Sequence, residues 1–258
     1  MTTLQKQLDF DAARQFFAAL DKQKGSIRIR GFYAKTDPRK AEDTGVKGDP
    51  TKNLINQWVD DGRGVYAVIN NGGDKDAEIT ECIALFCEWD DKPKDWQVTA
   101  WKDLALPEPS MQVDTGGKSI HTYWVLSSPV PSVRWRTTMQ RLLDYAEADR
   151  SLKNPSRVMR LPGCPHPETG IIAAIIHQTD ARYDINEFDK HLPEPQSEGH
   201  NRAARTFTDY EVQELDEIQR ALDHIPSRVP GCNTYPMYRN ILWGLIKACE
   251  DAGSSVEI

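Results

Sequence analysis

The sequence predicts an α+β protein with a small all-helical appendage at its C-terminal end. Three observations carry that expectation: apolar residues at helical spacing in several segments, short alternating or β-branched runs between them, and a composition break near residue 195. The 258 residues, 39% hydrophobic and 28% charged, suit one large folded domain plus a smaller one.

From the N-terminus, Asp11 to Lys22 sets Ala12, Phe16, Phe17 and Leu20 at helical spacing, with Asp11 as the cap. Ser26 to Tyr33 alternates, Ile27 and Ile29 on one face and Arg28 and Arg30 on the other, as a half-buried strand does. The two arginines read equally as a solvated face or as template or phosphate contacts. Pro38 to Pro50 is polar and turn-rich, and Leu54, Ile55, Trp58 and Val59 then mark a short helix. Gly64 to Asn70 and Cys82 to Asp90 read as strands on either side of a Gly72-Gly73 turn, and Ser119 to Leu126 as a third. Val133 to Ala148 carries Trp135, Met139, Leu142, Leu143 and Ala146 as a core-facing helical stripe, and the β-branched run Ile171 to Ile176 fits a buried strand.

Leu192 to Ala204 turns to Pro, Ser, Gly, Glu and Arg without apolar periodicity, which marks a linker. The expected organisation is a main domain over 1–195, a linker over 196–208 and a helical domain over 209–258, built on Tyr210 to Ile225 and Tyr235 to Ala252. Two helices alone bury little, so the chain reads as a piece of a longer polypeptide.

The N-terminus lacks the basic then apolar layout of a secretory signal, and no apolar run approaches the roughly 18 residues that span a bilayer. Both absences favour the cytoplasm and no membrane. Cys82, Cys87, Cys164, Cys232 and Cys249 are an odd set with no Cys-x-x-Cys pair, which argues against disulfides and structural zinc. Cys164-Pro165-His166 could offer two metal ligands, but no partner pair matches it, and ordinary packing is the better reading. A net charge of -7 opposes phosphate binding overall, yet its distribution does not. Residues 71–110 hold ten acids and four bases, and residues 111–170 hold eight bases and five acids. Acidic and basic clusters side by side suit a site for cations and polyphosphate, or a salt-bridged surface.

Three short motifs carry chemistry. In Leu85-Phe86-Cys87-Glu88-Trp89-Asp90, strand alternation projects Glu88 and Asp90 from one face at the tip of an apolar strand. Two such carboxylates can share a pair of divalent cations, and hard oxygen ligands suit Mg²⁺ or Mn²⁺. In Thr115-Gly116-Gly117-Lys118-Ser119-Ile120-His121, a double glycine admits backbone N–H groups to an anion, Lys118 adds charge, and Ser119 and His121 share a strand face. It is not a Walker A loop, because position 112 is Gln. A glycine hairpin and a core histidine are the plainer alternatives. The third motif is Asp149 followed by Arg157, Arg160 and the Leu161-Pro162-Gly163 turn, where guanidinium forks can clamp oxyanions.

These motifs, in this order, resemble those of the archaeo-eukaryotic primase superfamily, especially the primase-polymerases of plasmids, phages and bacterial mobile elements. The resemblance covers roughly residues 20–190. Phe86 to Asp90 matches the acid-x-acid strand, Gly116 to His121 the Ser-x-His strand, and Asp149 with Ser156 to Gly163 the third acid and its trailing block. Glu88 stands where Asp is common, and Glu147 competes with Asp149 for the third acid, Asp149 being preferred from its position ahead of the arginines. Ala221 to Pro226 and Trp243 to Ala248 resemble the small helical domain that follows the catalytic core in such enzymes.

The resemblance implies an RRM-like antiparallel sheet flanked by helices, with an N-terminal α/β module. It implies a DNA-templated primase-polymerase acting on a single-stranded DNA template with NTP or dNTP, and a helicase region further along the full-length polypeptide. Glu88, Asp90 and Asp149 would hold two Mg²⁺ or Mn²⁺ ions. Gly117, Lys118, Ser119, His121, Arg157 and Arg160 would hold the triphosphate, with His121 also counted among the catalytic residues. The competing classes are a metal-dependent nuclease, which needs no triphosphate pocket, and a non-catalytic single-strand-binding module, which needs aromatics exposed on its sheet.

Overall fold

The computed structural model describes residues 8–22 and 24–193. They fall within the first of two units into which the chain divides, Met1–Pro195 and Gln196–Ile258. The linker and the C-terminal helices expected from the sequence lie outside the described residues.

In chain order the described elements are α1 (Phe10–Ala19), β1 (Ile29–Tyr33), β2 (Val46–Gly48), α2 (Lys52–Asp60), β3 (Arg63–Val68), β4 (Asn71–Gly72) and β5 (Ile79–Cys87). Then come α3 (Lys94–Asp103), β6 (Met111–Asp114), β7 (Ile120–Val130), α4 (Ser132–Tyr145), β8 (Val158–Arg160), β9 (Ala174–Gln178) and α5 (Ile185–Asp189). The strands form two sheets, ordered β2-β1-β3-β8 and β4-β5-β7-β6-β9, with every neighbouring pair antiparallel. The expected α+β class with antiparallel sheets and flanking helices is what the chain adopts.

Local chemistry sets the element ends. Helix α1 is capped by Asp9, two residues earlier than the expected Asp11: its carboxylate accepts from the N–H groups of Asp11 and Ala12, both at 3.0 Å. Asp11 instead sits in the first turn, where a negative charge meets the positive end of the helix dipole. In β1, Ile29 and Gly31 are buried, and a side chain on Gly31 would come within 2.9 Å of the Trp58 indole on α2. Arg30 points to the other face, as alternation requires. On the second sheet, α4 packs on β5 through Trp135, fully buried, whose indole N–H donates to the Ala84 carbonyl at 2.7 Å.

Six elements were not expected from the sequence: β2, β4, α3, β6, β8 and α5. Five of them are only two to five residues long, and α3 buries only Gln97 and Ala100, so no apolar period announces it. The expected buried strand over Ile171 to Ile176 is corrected. Strand β9 begins at Ala174 and forms an outer edge, paired only with β6, which leaves Ile171 59% and Ile176 46% exposed. An edge strand has neighbours on one side only, so β-branched residues there need not be buried. Strand β5 ends at Cys87, so Glu88 and Asp90 lie just beyond it. Cys82, Cys87 and Cys164 are free and buried, and burial pushes the thiols of Cys82 and Cys164 up to about 12.

One buried charge has a measurable consequence. Lys22 is 8% exposed and donates to the Asn70 carbonyl at 2.9 Å, and burial, with the Arg28 charge, lowers its pKa to about 7. The unfolded chain, with a lysine near 10.5, binds the extra proton above pH 7, so stability must rise with pH there. Urea unfolding at pH 7 and pH 9 is expected to show that rise in the parent, and Lys22→Met is expected to remove most of it.

Candidate active site

The site grows out of the pairing between β5 and β7. The ladder aligns Phe86 with Tyr123 and Cys87 with Thr122. Continued past the strand end, the same register sets Glu88 opposite His121 and Asp90 opposite Ser119. The side chains meet accordingly. His121 Nε2 lies 2.9 Å from Glu88 Oε2, the Ser119 hydroxyl donates to Asp90 Oδ1, and Lys118 Nζ lies 3.1 Å from Asp90 Oδ2. Trp89, between the acids, turns inward and donates its indole N–H to the Ala146 carbonyl at 2.8 Å.

The two acids are held differently. Glu88 and His121 have side chains only 17% and 7% exposed, and the Tyr123 hydroxyl stands 3.3 Å from His121 Nδ1. Burial first, then the Glu88 charge, raises the Tyr123 phenol well above its ordinary range, so it keeps its proton; an Nε2 proton directed at the Glu88 carboxylate leaves Nδ1 of the neutral ring to accept from that hydroxyl. Asp90 and Lys118 are 47% and 68% exposed, a pair worth no more than about 1 kcal/mol and easily exchanged. Burial works to raise the Asp90 pKa, but hydrogen bonds from Ser119 and Lys118 and the charges of Lys118 and Lys35 hold it below the usual carboxylate range. Asp90 therefore stays an anion at neutral pH.

Asp149 lies next to Glu88 through the backbone, its N–H donating to the Glu88 carbonyl at 3.1 Å. Its carboxylate accepts from the Ser151 N–H at 2.8 Å and the Ser151 hydroxyl at 2.6 Å. Glu147 is exposed, in a left-handed conformation at the end of α4. Among the described residues no group of three His, Cys, Asp or Glu side chains is close enough to hold a metal ion. Glu88 and Asp90 nevertheless fit Mg²⁺ or Mn²⁺ in donor type, because such ions are commonly held by one or two carboxylates and completed by substrate phosphates and water.

In the double glycine, the N–H of Gly116 donates to Asp114 at 2.8 Å and that of Gly117 to the Thr115 hydroxyl at 3.3 Å. The expectation that these amides point outward to an anion is corrected: the turn uses them internally. What glycine supplies is room, since a Cβ on Gly117 would lie 2.7 Å from His166 Nε2.

Arg160 and Arg157 part company. Arg160 pairs across the first sheet with Tyr66, itself opposite Arg30, so the three side chains share one face. The Arg160 guanidinium lies 4.2 Å from the Tyr66 ring centroid and donates to its hydroxyl at 2.8 Å. It is 6% exposed, and its Nε and Nη1 have no partner among the described residues. Burial lowers its pKa against the partial support of Tyr66, Cys164 and Glu88. Arg157 precedes β8, its Nε is buried without a partner among the described residues, and it shares no hydrogen bond or ion pair with these groups. Of the other two arginines, Arg28 pairs with Asp49 at 3.3 Å, and Arg30 lies 5.1 Å from the Phe32 ring centroid.

Two positioning residues escaped the sequence reading. Gln97 on α3 is fully buried, donates to the carbonyls of Lys92 at 2.7 Å and Lys118 at 3.1 Å, and accepts from the Ile120 N–H at 2.7 Å. Tyr66 supports Arg160. A buried glutamine in an unrecognised helix carries no sequence signal, whereas the alternation of Tyr66 with buried Val65 and Ala67 would have marked it as facing the opposite side.

A carboxylate pair at a strand tip, facing a Lys-Ser-x-His strand on an antiparallel α+β framework, suits nucleotidyl transfer, and the relatives of the chain are nucleotidyltransferases. No protein-family model and no curated protein sequence matches the chain. Among solved structures, the archaeo-eukaryotic primase domain of the primase-polymerase of cyanophage S-2L is 40% identical, covering 72% of this chain and 100% of its own, with a TM-score of 0.69. The catalytic domain of primase RepB′ in complex with initiator DNA shares the fold at 13% identity, over 84% of this chain and 100% of its own, with a TM-score of 0.50. Primase RepB′ does so at 14% identity, over 93% of this chain and 75% of its own, with a TM-score of 0.51. The chain belongs to the archaeo-eukaryotic primase superfamily as a primase-polymerase. No helix among the described residues is long and apolar enough to cross a membrane.

Proposed function

We propose that the protein extends or initiates strands on single-stranded DNA by two-metal nucleotidyl transfer from NTP or dNTP, with residues 209–258 as a helical appendage joined through the 196–208 linker. The observation that carries this reading is the shared register of β5 and β7, which sets Glu88 against His121 and Asp90 against Ser119. Acid and donor groups alternate there within one side-chain length, as a polyphosphate bridged to cations requires. Glu88 and Asp90 would hold Mg²⁺ or Mn²⁺, and Asp149 would join them on release from Ser151. Bound there, the ions would activate the attacking hydroxyl and neutralise the departing pyrophosphate.

The remaining steps belong to the chain. Lys118, Ser119 and His121 would exchange their carboxylate partners for phosphate oxygens as the acids take up cations. Arg160, with two unpartnered buried donors, would clamp an oxyanion, and Arg157 would add charge from the neighbouring turn. Gly117 would keep the turn slim enough for approach. A primer 3′-hydroxyl, or that of an initiating nucleotide, attacks the α-phosphate in line, forming one P–O bond as the bond to pyrophosphate breaks, and positioning carries much of the rate.

The test is incubation with single-stranded DNA, labelled nucleoside triphosphates and Mg²⁺ or Mn²⁺. Template-dependent products are expected. Strand cutting without synthesis would make the protein a nuclease, and binding without either would make it a nucleic-acid-binding module. A finer outcome concerns Tyr66: Tyr66→Phe keeps the ring under Arg160 but removes the hydroxyl, and is expected to raise KM for the nucleotide about threefold. Steady-state kinetics at fixed primer-template checks it.

A further inference from the structure

We propose that His166 is a further contact for the incoming nucleotide, its neutral imidazole donating the Nε2 proton to a non-bridging oxygen of the triphosphate beside Arg160. The inference rests on the reading of the Lys118 to His121 strand as the triphosphate side of the site. His166 opens a tight turn in the connection between β8 and β9. Its N–H donates to the Ile171 carbonyl at 2.8 Å, and its own carbonyl accepts from the Gly170 N–H at 2.8 Å. The imidazole Nδ1 accepts from the N–H groups of Glu168 at 3.2 Å and Thr169 at 3.4 Å. A nitrogen that accepts carries no proton, so in the neutral ring the proton is on Nε2.

Nε2 has no hydrogen-bond partner among the described residues. It faces Gly117, where any side chain would close the gap, since a Cβ there would stand 2.7 Å away. The two turns are fastened together, the Thr169 hydroxyl donating to the Gly116 carbonyl at 2.7 Å. The imidazole is thus presented at the entrance to the strand on which Ser119 and His121 meet Asp90 and Glu88. Here the outer nitrogen is held open beside a glycine.

The surroundings favour an anion. Burial lowers the pKa of His166, the charges of Arg160 and Lys94 lower it further, and only Glu168 opposes them. The ring therefore stays neutral at pH 7 and donates from Nε2; of the two cations near it, Lys94 is paired with Asp114 at 2.6 Å, which leaves the Arg160 charge for an anion. Arg160 adds a guanidinium whose Nε and Nη1 are buried without partners. A phosphate of the template strand would offer the same oxygens. The triphosphate is favoured because the Gly116-Gly117 turn runs directly into Lys118 and Ser119.

Two substitutions separate the functions of the ring. His166→Asn keeps an acceptor near the Nδ1 position for the turn and removes the outer donor. His166→Gln places an amide nitrogen near the Nε2 position. On primed single-stranded DNA, His166→Asn is expected to raise KM for the nucleotide about tenfold, the loss of one hydrogen bond to a charged group. Its kcat is expected to fall less than about threefold, with affinity for primer-template and melting temperature near parental values. His166→Gln is expected to recover most of the KM. A parental KM in His166→Asn overturns the assignment, as does a loss confined to primer-template affinity, which would mark a DNA phosphate contact. Equal losses in the two variants overturn it as well. The Glu88→Ala/Asp90→Ala protein, assayed alongside, keeps the two readings apart: synthesis surviving in it sinks the carboxylate assignment, whereas its inactivity with a parental KM in His166→Asn sinks only the histidine.

Discussion

Asp90→Asn is expected to lower the rate of template-directed nucleotide incorporation by about a thousandfold, several kcal/mol of transition-state stabilisation. The amide keeps the size of the carboxylate and can still accept from Ser119, so the local shape survives. What is lost is the negative charge, held in place at neutral pH by Ser119, Lys118 and Lys35. On the proposed mechanism that charge is one of the three carboxylates by which the protein would hold the cations. The side chain is 47% exposed and its ion pair contributes little to folding, so the melting temperature should stay near the parental value. Single-turnover incorporation at saturating nucleotide and Mg²⁺ is the measurement. A rate within about tenfold of the parent would remove Asp90 from the reacting centre.

Gly163→Ala is expected to cost about 3 kcal/mol or more of folding stability. Gly163 has φ of +83°, where an L-residue is strained, and a methyl group there would run into the backbone carbonyl of Asp9. The chain cannot simply move away. The Asp9 N–H donates to the Gly163 carbonyl at 2.9 Å, and the Gly163 N–H donates to the Ala173 carbonyl at 2.7 Å. Asp9 is also the cap of α1, so the clash would disturb the start of that helix. Urea denaturation gives the number, and a loss below about 1 kcal/mol would mean that the two segments can part without harm. The Leu161-Pro162-Gly163 turn, notable in the sequence as the trailer of an arginine motif, thus has a packing reason for its glycine.

What was legible in the sequence was whatever repeats with a fixed period. Alternation placed Ile29 against Arg30, Glu88 on one face with Asp90, and Ser119 on one face with His121, because side-chain direction in a strand needs no knowledge of the partner strand; that the two pairs face each other came only from the pairing of β5 with β7. The spacing of Trp135, Met139, Leu142 and Leu143 announced α4, and all four are buried. What was not legible depends on contacts distant in sequence. Helix α3 hides its core face behind glutamine, and β6 buries Gln112, whose amide donates to the Val98 carbonyl at 3.2 Å and the Thr122 hydroxyl at 3.1 Å. Neither residue looks apolar, so neither enters a periodic count. The double glycine was read as an anion cradle because its amides could not be traced to Asp114 and Thr115 from sequence alone. His166 was set aside with Cys164 as packing, since only the folded chain brings its imidazole to Gly117. Arg157 and Arg160 looked equivalent at three residues apart, but only Arg160 lies in β8 and meets Tyr66.

Gln97 has a consequence for how the site can adapt to what it binds. One amide group grips the chain just after the acidic tip, at Lys92, and again at Lys118 and Ile120, on either side of Ser119. The two walls are therefore gauged against a single ruler and cannot slide past or spread from each other without breaking the hydrogen bonds of a fully buried side chain. A ligand must fit the gap as it stands. Whatever yielding occurs falls to side-chain ends, above all the exposed ammonium of Lys118, which can swing while its backbone stays still.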